Sequence, residues 1–439
     1  MSEPTPKELS DAEKRERVRQ LLRRHSTAAA PTPTTKREPG NNRLEDLSGV
    51  RELSERKAAL AAQHLPNPYF HPHDGIAGGH SVIDGREVIN FSSYNYLGWC
   101  GDSRVSDAAV AAIGRYGTSV SASRIASGER PLHRELETAL ADHYQVEDCV
   151  VFVSGHATNV TVIGHLLGPG DLVVHDELIH NSAVLGAQLS GARRLPFPHN
   201  NWQALDRMLT THRASHQRVL IVIEGVYSMD GDVPELPQFI AIKQRHDALL
   251  MVDEAHSLGV LGKKGGGIGE HFGVTPTDVD LWMGTLSKSL ASCGGYIAGS
   301  HQIIEYLKYT TPGFLYSVGL APPLAAAALC ALQLTHAEPE RVRTLRERAD
   351  SLRAQFRSAG WQVGASELSA VVPLILGDPD LALRLAHALD QAGINVQPIL
   401  PPAVEGNQSR LRFFVSAQHT EKDITTTVRA IAESMTPPA

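Results

Sequence analysis

Six short apolar runs through the middle of the chain restrict its fold more than any other feature. They are CVVFVSG (149–155), DLVVHD (171–176), RVLIVIEG (218–225), ALLMVDE (248–254), DLWMGT (280–285) and GGYIAGS (294–300). Each is β-rich and apolar on both faces, and most are followed by a segment able to form a helix. A strand that is apolar on both sides must be covered on both sides. That requirement is met by a mostly parallel sheet with helices on each face, so the chain reads as α/β. At 439 residues it can bury the core of two domains. From Pro322 a long helical stretch leads into a smaller α+β region, with strands expected at VVPLILG, INVQPIL and RLRFFVS. The reading gives four parts: 1–43, 44–98, a large domain over 99–325 and a small domain over 326–439.

Composition narrows the function class. The net charge of −7 provides no basic field for nucleic acid. Cys100, Cys149, Cys293 and Cys330 lack CxxC spacing, which suits reduced intracellular thiols and neither a disulfide framework nor a zinc site. No run reaches the length of a membrane span and no apolar signal core opens the chain, so the expected location is the cytoplasm. The first part stands apart. Ser10 to Arg24 reads as a charged helix with a serine N-cap, followed by a Pro/Thr/Ala linker. A helix on such a tether is a candidate docking segment for a partner that carries substrate.

Ligands of open α/β sheets sit beyond the carboxyl ends of the strands, and the polar residues of interest fall there. VVFVSGHATN places Ser154, Gly155 and His156 where a strand meets a helix, a turn whose free N–H groups suit an anion. A further strand ends in Glu224, Tyr227, Ser228 and Asp230. Asp253 closes a buried strand, with His256 three residues on. A carboxylate there needs a cation, and a protonated pyridine nitrogen is one candidate. Lys288 follows another strand amid Gly and Ser, which leave room for a ring system; desolvation would make its amine a usable nucleophile and base. His180 opens a helix where an imidazole could stack on a flat cofactor. Arg410 and Arg412 share one face of a strand, and an arginine fork suits an α-carboxylate.

In order along the chain, NFSSYNYLG (90–98), YGTSVSASRIASGERPLHRELE (116–137), EGVYSMDGD, VDEAHSLGVLG, GTLSKSLASCGGY and RLRFFVSAQHT resemble the motifs of the α-oxoamine synthases. These are pyridoxal-phosphate enzymes that join an amino acid to an acyl thioester and release CO2. The resemblance runs from about Leu44 to Met435. It implies a fold-type I, aspartate aminotransferase-like transferase with a mostly parallel seven-stranded sheet and a smaller C-terminal α+β domain. Lys288 then matches the Schiff-base lysine, Asp253 the partner of the pyridine nitrogen, His256 the partner of the phenolic oxygen and His180 the ring-stacking histidine. Ser228 and Thr285 match hydroxyls lining the cofactor, with Ser154, Gly155 and His156 at the phosphate. Arg412 matches the receiver of the substrate carboxylate, and Tyr94 falls in the first of these motifs as a substrate-binding residue.

The resemblance also implies a homodimer in which FLYSVGLAPP is lent to the neighbouring subunit and Ser317 reaches its phosphate. Two positions depart from the family pattern: Val318 replaces a small polar residue after Ser317, and His156 stands where an aromatic is frequent. The implied reaction has Lys288 remove the α-proton before the carbon attacks the thioester. Transamination or simple decarboxylation on the same fold is an alternative, as is a non-catalytic partner subunit, which the presence of Lys288 opposes. Glycine, alanine and serine all suit the small residues Gly117, Ser119, Ser121 and Ser123. The acyl group could come from coenzyme A or from an acyl-carrier protein.

Overall fold

The computed structural model describes residues 43–435, so the Ser10–Arg24 helix and the linker after it lie outside the described residues. Two compact units divide the chain, the first ending at Gln63 and the second beginning at His64. In the first, a 3-10 turn at Leu44–Asp46 precedes a helix at Ser48–Ala62 that buries none of its residues.

Three strands open the second unit: β1 (His73–Asp74), β2 (His80–Ile83) and β3 (Arg86–Asn90). The large sheet follows with β4 (Asp148–Phe152), β5 (Leu172–Asp176), β6 (Arg193–Phe197) and β7 (Val219–Glu224). It is completed by β8 (Leu249–Asp253), β9 (Leu281–Thr285) and β10 (Gly295–Gly299). The strand order is β4-β10-β9-β8-β7-β5-β6, and only β10 runs antiparallel to its neighbours. All six expected runs are strands of this sheet. On β7, Leu220 and Val222 join one hydrophobic cluster while Val219, Ile221 and Ile223 join the other. That alternation is what a strand covered on both faces requires.

The seventh strand, β6, is not among the six runs. It lies at the sheet edge with Arg193, Arg194 and Pro196 exposed, so it lacks the apolar signature of a covered strand. The C-terminal region contributes β11 (Val371–Gly377), β12 (Ile394–Asn395), β13 (Gln397–Ile399) and β14 (Ser409–Phe414). Here the expected strand INVQPIL divides in two. Its first half pairs with β3, and its second joins β14 in the three-stranded sheet β11-β14-β13. The long helical stretch after Pro322 also divides, into Pro322–Ala337 and Glu340–Ser358, where Pro339 interrupts it. No helix among the described residues is long and apolar enough to cross a membrane.

Candidate active site

Strands β4, β5, β7, β8 and β9 are mutually parallel, so their carboxyl ends meet along one edge of the sheet. A cavity of about 400 Å³ is found elsewhere, around His143 and His336. The cavity at the strand ends has a volume of about 270 Å³. It brings together Gly155 and His156 after β4, His180 after β5, Ser228 after β7, Asp253 and His256 from β8, and Thr285 and Lys288 from β9. Tyr94 and Arg412 join from outside the large sheet.

Two sequence candidates fall outside its lining. Ser154 caps the helix Gly155–Leu166, its hydroxyl accepting from the Ala157 N–H at 3.4 Å. Ser317 donates to its neighbour's carbonyl, Val318 O, at 3.2 Å. Gly117, Ser119, Ser121 and Ser123 are also absent from the lining.

Asp253 is 5% exposed, and both its oxygens are held. Oδ1 accepts from the Ala255 N–H at 2.9 Å, and Oδ2 from Asn159 Nδ2 at 2.8 Å. Asn159 also donates to Ser182 Oγ at 3.0 Å, and that hydroxyl meets His180 Nδ1 at 2.7 Å. One chain of hydrogen bonds thus fixes the carboxylate and the imidazole together. Glu224 is paired in register with Asp253 on the adjacent strand and accepts from the His180 N–H at 2.6 Å. Burial, then the neighbouring Asp253 charge, push the Glu224 carboxyl well above the usual carboxylate range. The pair therefore carries less negative charge than two ionised carboxylates.

Lys288 sits in a loop cross-linked to the strand that precedes it. Thr285 Oγ1 donates to Gly294 O at 3.0 Å and accepts from the Ser287 N–H at 3.2 Å, while Ser289 Oγ donates to Leu258 O at 2.6 Å. The Lys288 amine lies 5.7 Å from the centroid of the Tyr94 ring and has no hydrogen-bond or ion-pair partner among the described residues. Burial pulls its pKa down to about 8, with Asp253 and Glu224 opposing. Close packing frames the same corner: a Cβ at Gly155 would lie 2.8 Å from Thr285 Oγ1.

His256 stacks on Phe414 and bonds through Nδ1 to the Tyr96 hydroxyl at 2.7 Å. Burial first, then the Lys288 and Arg412 charges, keep it neutral, far below the ordinary histidine range. Arg410 and Arg412 share a strand face but not a role. Arg410 is buried and paired to Asp230 at 2.5 Å. Arg412 has no acidic partner among the described residues. Its Nη1 donates to Ser228 O and to Met229 Sδ, each at 3.1 Å, and its buried Nε meets no acceptor.

These donors fit pyridoxal phosphate. A held carboxylate suits the pyridine nitrogen, an unpaired amine the aldehyde carbon, and the start of a helix at Gly155 the phosphate. Glu224, singled out at its strand end, lines the cavity too; Asn159, Ser182, Met229, Met283 and Ala255 also line it but were not among the sequence candidates, and Tyr96 supports His256 from behind. A signal for Asn159 did exist: it lies four residues after Gly155, one helical turn along the same face.

Fold and site together define a fold-type I pyridoxal-phosphate enzyme. The aminotransferase class I and II family matches residues 86–431. The 8-amino-7-oxononanoate synthase of Geobacter sulfurreducens is 42% identical over 361 residues, 82% of this chain and 91% of its own length. That of Symbiobacterium thermophilum is 39% identical over 390 residues, 89% of this chain and 96% of its own. The serine palmitoyltransferase structure from Sphingomonas wittichii superposes with a TM-score of 0.84 at 30% identity, covering 88% of this chain and 97% of that one. A serine palmitoyltransferase solved with pyridoxal phosphate gives 0.85 at 29% identity over 88% and 98%. The chain belongs to the class I and II aminotransferase family, in its α-oxoamine synthase branch.

Proposed function

We propose that the chain joins a small amino acid to an acyl thioester with loss of CO2, and that Lys288, Asp253, His180 and Arg412 carry the reaction. As a member of its branch it is a pyridoxal-phosphate-dependent acyltransferase catalysing a decarboxylative condensation. The bound cofactor supplies an electron sink beside the amino acid's α-carbon. The observation that carries the assignment is the Lys288 amine, its pKa drawn down to about 8, on the same cavity as Arg412, neither of them having an acidic partner among the described residues.

Lys288 would hold the cofactor, and its neutral amine would take the α-proton, a task open to it near neutral pH. Asp253 keeps a proton on the pyridine nitrogen, and Asn159 keeps Asp253 in place. His256 serves the phenolic oxygen through the ring nitrogen that Tyr96 leaves free. Gly155 and His156 would offer N–H groups to the phosphate, and the Thr285 and Ser228 hydroxyls line the same cavity. Arg412 and His180 grip the substrate carboxylate and so set which bond at the α-carbon is broken, with Tyr94 closing the pocket.

The small cavity and the two methionines in its wall, Met229 and Met283, favour glycine, alanine or serine. A second copy of the chain completes the site, its Ser317 reaching the phosphate; Tyr316 and Val318 beside that serine are 88% and 49% exposed and available to such a contact. Four free cysteines suit action in the cytoplasm. The acyl donor is a coenzyme A or acyl-carrier-protein thioester, with residues 1–43 docking the carrier. The test is CO2 release from a panel of amino acids, with and without each thioester. Release that does not depend on thioester would refute the condensation. Deleting residues 1–43 should slow carrier-bound transfer alone, and equal losses with both donors would refute docking.

A further inference from the structure

Outside the residues assigned above, one charged cluster is built as tightly as the site itself. His199, in the loop after β6, uses both ring nitrogens on carboxylates: Nδ1 meets Asp176 Oδ1 at 2.9 Å and Nε2 meets Asp232 Oδ2 at 2.8 Å. Both acids are buried. A ring facing an acceptor at each nitrogen must donate from both, so it is an imidazolium. Asn200 reinforces the bridge, its N–H going to Asp176 Oδ2 at 2.8 Å and its Nδ2 to Asp232 Oδ2 at 2.6 Å. The Tyr227 and His199 rings pack edge to face, their centroids 4.6 Å apart.

What the two acids hold gives the cluster its meaning. Asp176 ends β5, and its Oδ1 and backbone carbonyl accept from the Leu178 and Ile179 N–H groups at 2.9 and 3.1 Å, shaping the turn that delivers His180. Asp232 closes a turn in which its carbonyl accepts from the Tyr227 N–H at 3.1 Å and Gly231 N–H donates to Tyr227 O at 2.8 Å. That turn presents Ser228 O and Met229 Sδ, the two acceptors on Arg412 Nη1.

We propose that His199 is a positioning residue: by tying Asp176 to Asp232 it fixes the separation between the turn that carries His180 and the turn that orients Arg412. It thereby sets the gap across which the amino-acid carboxylate is gripped. This rests on the assignment of His180 and Arg412 to that carboxylate. Charge supports the geometry, since the two acids raise the His199 pKa to about 10 against its partial burial. Neutral imidazole would take one ring N–H from a buried carboxylate.

The test uses cofactor-loaded wild type, His199→Gln, Asp232→Ala and Arg412→Ala. Each is titrated with glycine, L-alanine and L-serine and with the matching amides glycinamide, L-alaninamide and L-serinamide, following the cofactor's visible absorbance. His199→Gln is expected to weaken amino-acid binding about tenfold, as expected when groups in a shared grip shift by a fraction of an ångström, while the amides keep their affinity. Unchanged amino-acid affinity, or equal losses for acid and amide, would overturn the proposal. Should His199→Gln fail to fold, Asp232→Ala carries the same test, since it removes the acceptor on His199 Nε2 and leaves the bond to Asp176. Arg412→Ala, which removes the cation, separates the two assignments. If it spares the preference for acid over amide, the carboxylate assignment falls and the proposal with it. If it abolishes that preference while His199→Gln is silent, only the positioning role falls.

Discussion

Asn159 and Asp253 are joined by a hydrogen bond of 2.8 Å, across 94 residues of sequence and between a helix and a strand end. Among the described residues the amide is the only side-chain donor on a carboxylate that otherwise takes one backbone N–H. Asn159 thereby fixes the direction in which Asp253 presents its charge. Asn159→Ala should lower kcat/KM about tenfold with the protein still yellow, the usual cost of losing an orienting partner. Asp253→Asn, which removes the charge itself, should cost at least about a hundredfold. Steady-state kinetics on both variants would decide, and an Asn159→Ala protein worse than Asp253→Asn would contradict the order.

Lys288 should react as an amine far more acidic than an ordinary lysine. Labelling of the cofactor-free protein with an acylating reagent, read by mass spectrometry against pH, is expected to rise with a midpoint near 8 instead of 10.5. A midpoint at the ordinary value would show that burial does not tune this amine. Lys288→Ala should abolish turnover together with the lysine-linked absorbance, and a fully active variant would remove Lys288 from the mechanism.

The two arginines of β14 should separate cleanly. Arg410→Ala leaves Asp230 without its partner and empties a buried site, so it should destabilise the fold by about 3 kcal/mol, readable as a lower Tm. Arg412→Ala breaks no ion pair among the described residues. It should leave Tm nearly unchanged and raise the amino-acid KM about a hundredfold, the scale of a charge-assisted carboxylate contact. Identical phenotypes would contradict the division of labour.

The His199 bridge also has a pH signature. Its pKa is raised from 6.5 to about 10 by Asp176 and Asp232 against burial, so the folded state holds the proton more tightly than the unfolded chain. The stabilisation is complete below about pH 6.5 and fades as pH climbs toward 10. The Tm gap between wild type and His199→Gln should therefore be widest in mild acid and close on the alkaline side. A gap that widens with rising pH would mean that the imidazole is neutral.

Much of this was legible in the sequence, for a physical reason. Strands covered on both faces must be apolar throughout, so β4, β5, β7, β8, β9 and β10 announce themselves, and the residues that break the apolar pattern at their ends stand out. Lys288, Asp253, His256 and His180 are such residues. Less legible was whatever depends on side-chain direction within polar sequence. Edge strand β6 is concealed by Arg193 and Arg194. Arg410 and Arg412 have the same spacing signal, yet Asp230 claims one and not the other. Ser154 has a hydroxyl at the right turn, but the helix cap occupies it. Asn159 and Tyr96 act through partners distant in sequence, and no local pattern encodes such pairings.

The wall of the active-site cavity runs from Tyr94 to Arg412, drawing on nearly the whole second unit. A nascent chain therefore cannot grip its cofactor until β14 has been made, and no fragment that stops short of Arg412 should retain colour. Because the cofactor can bind only the completed arrangement, loading acts as a seal on maturation. Loaded molecules should resist proteolysis where empty ones are cut, by the mass-action advantage that any native-state ligand confers.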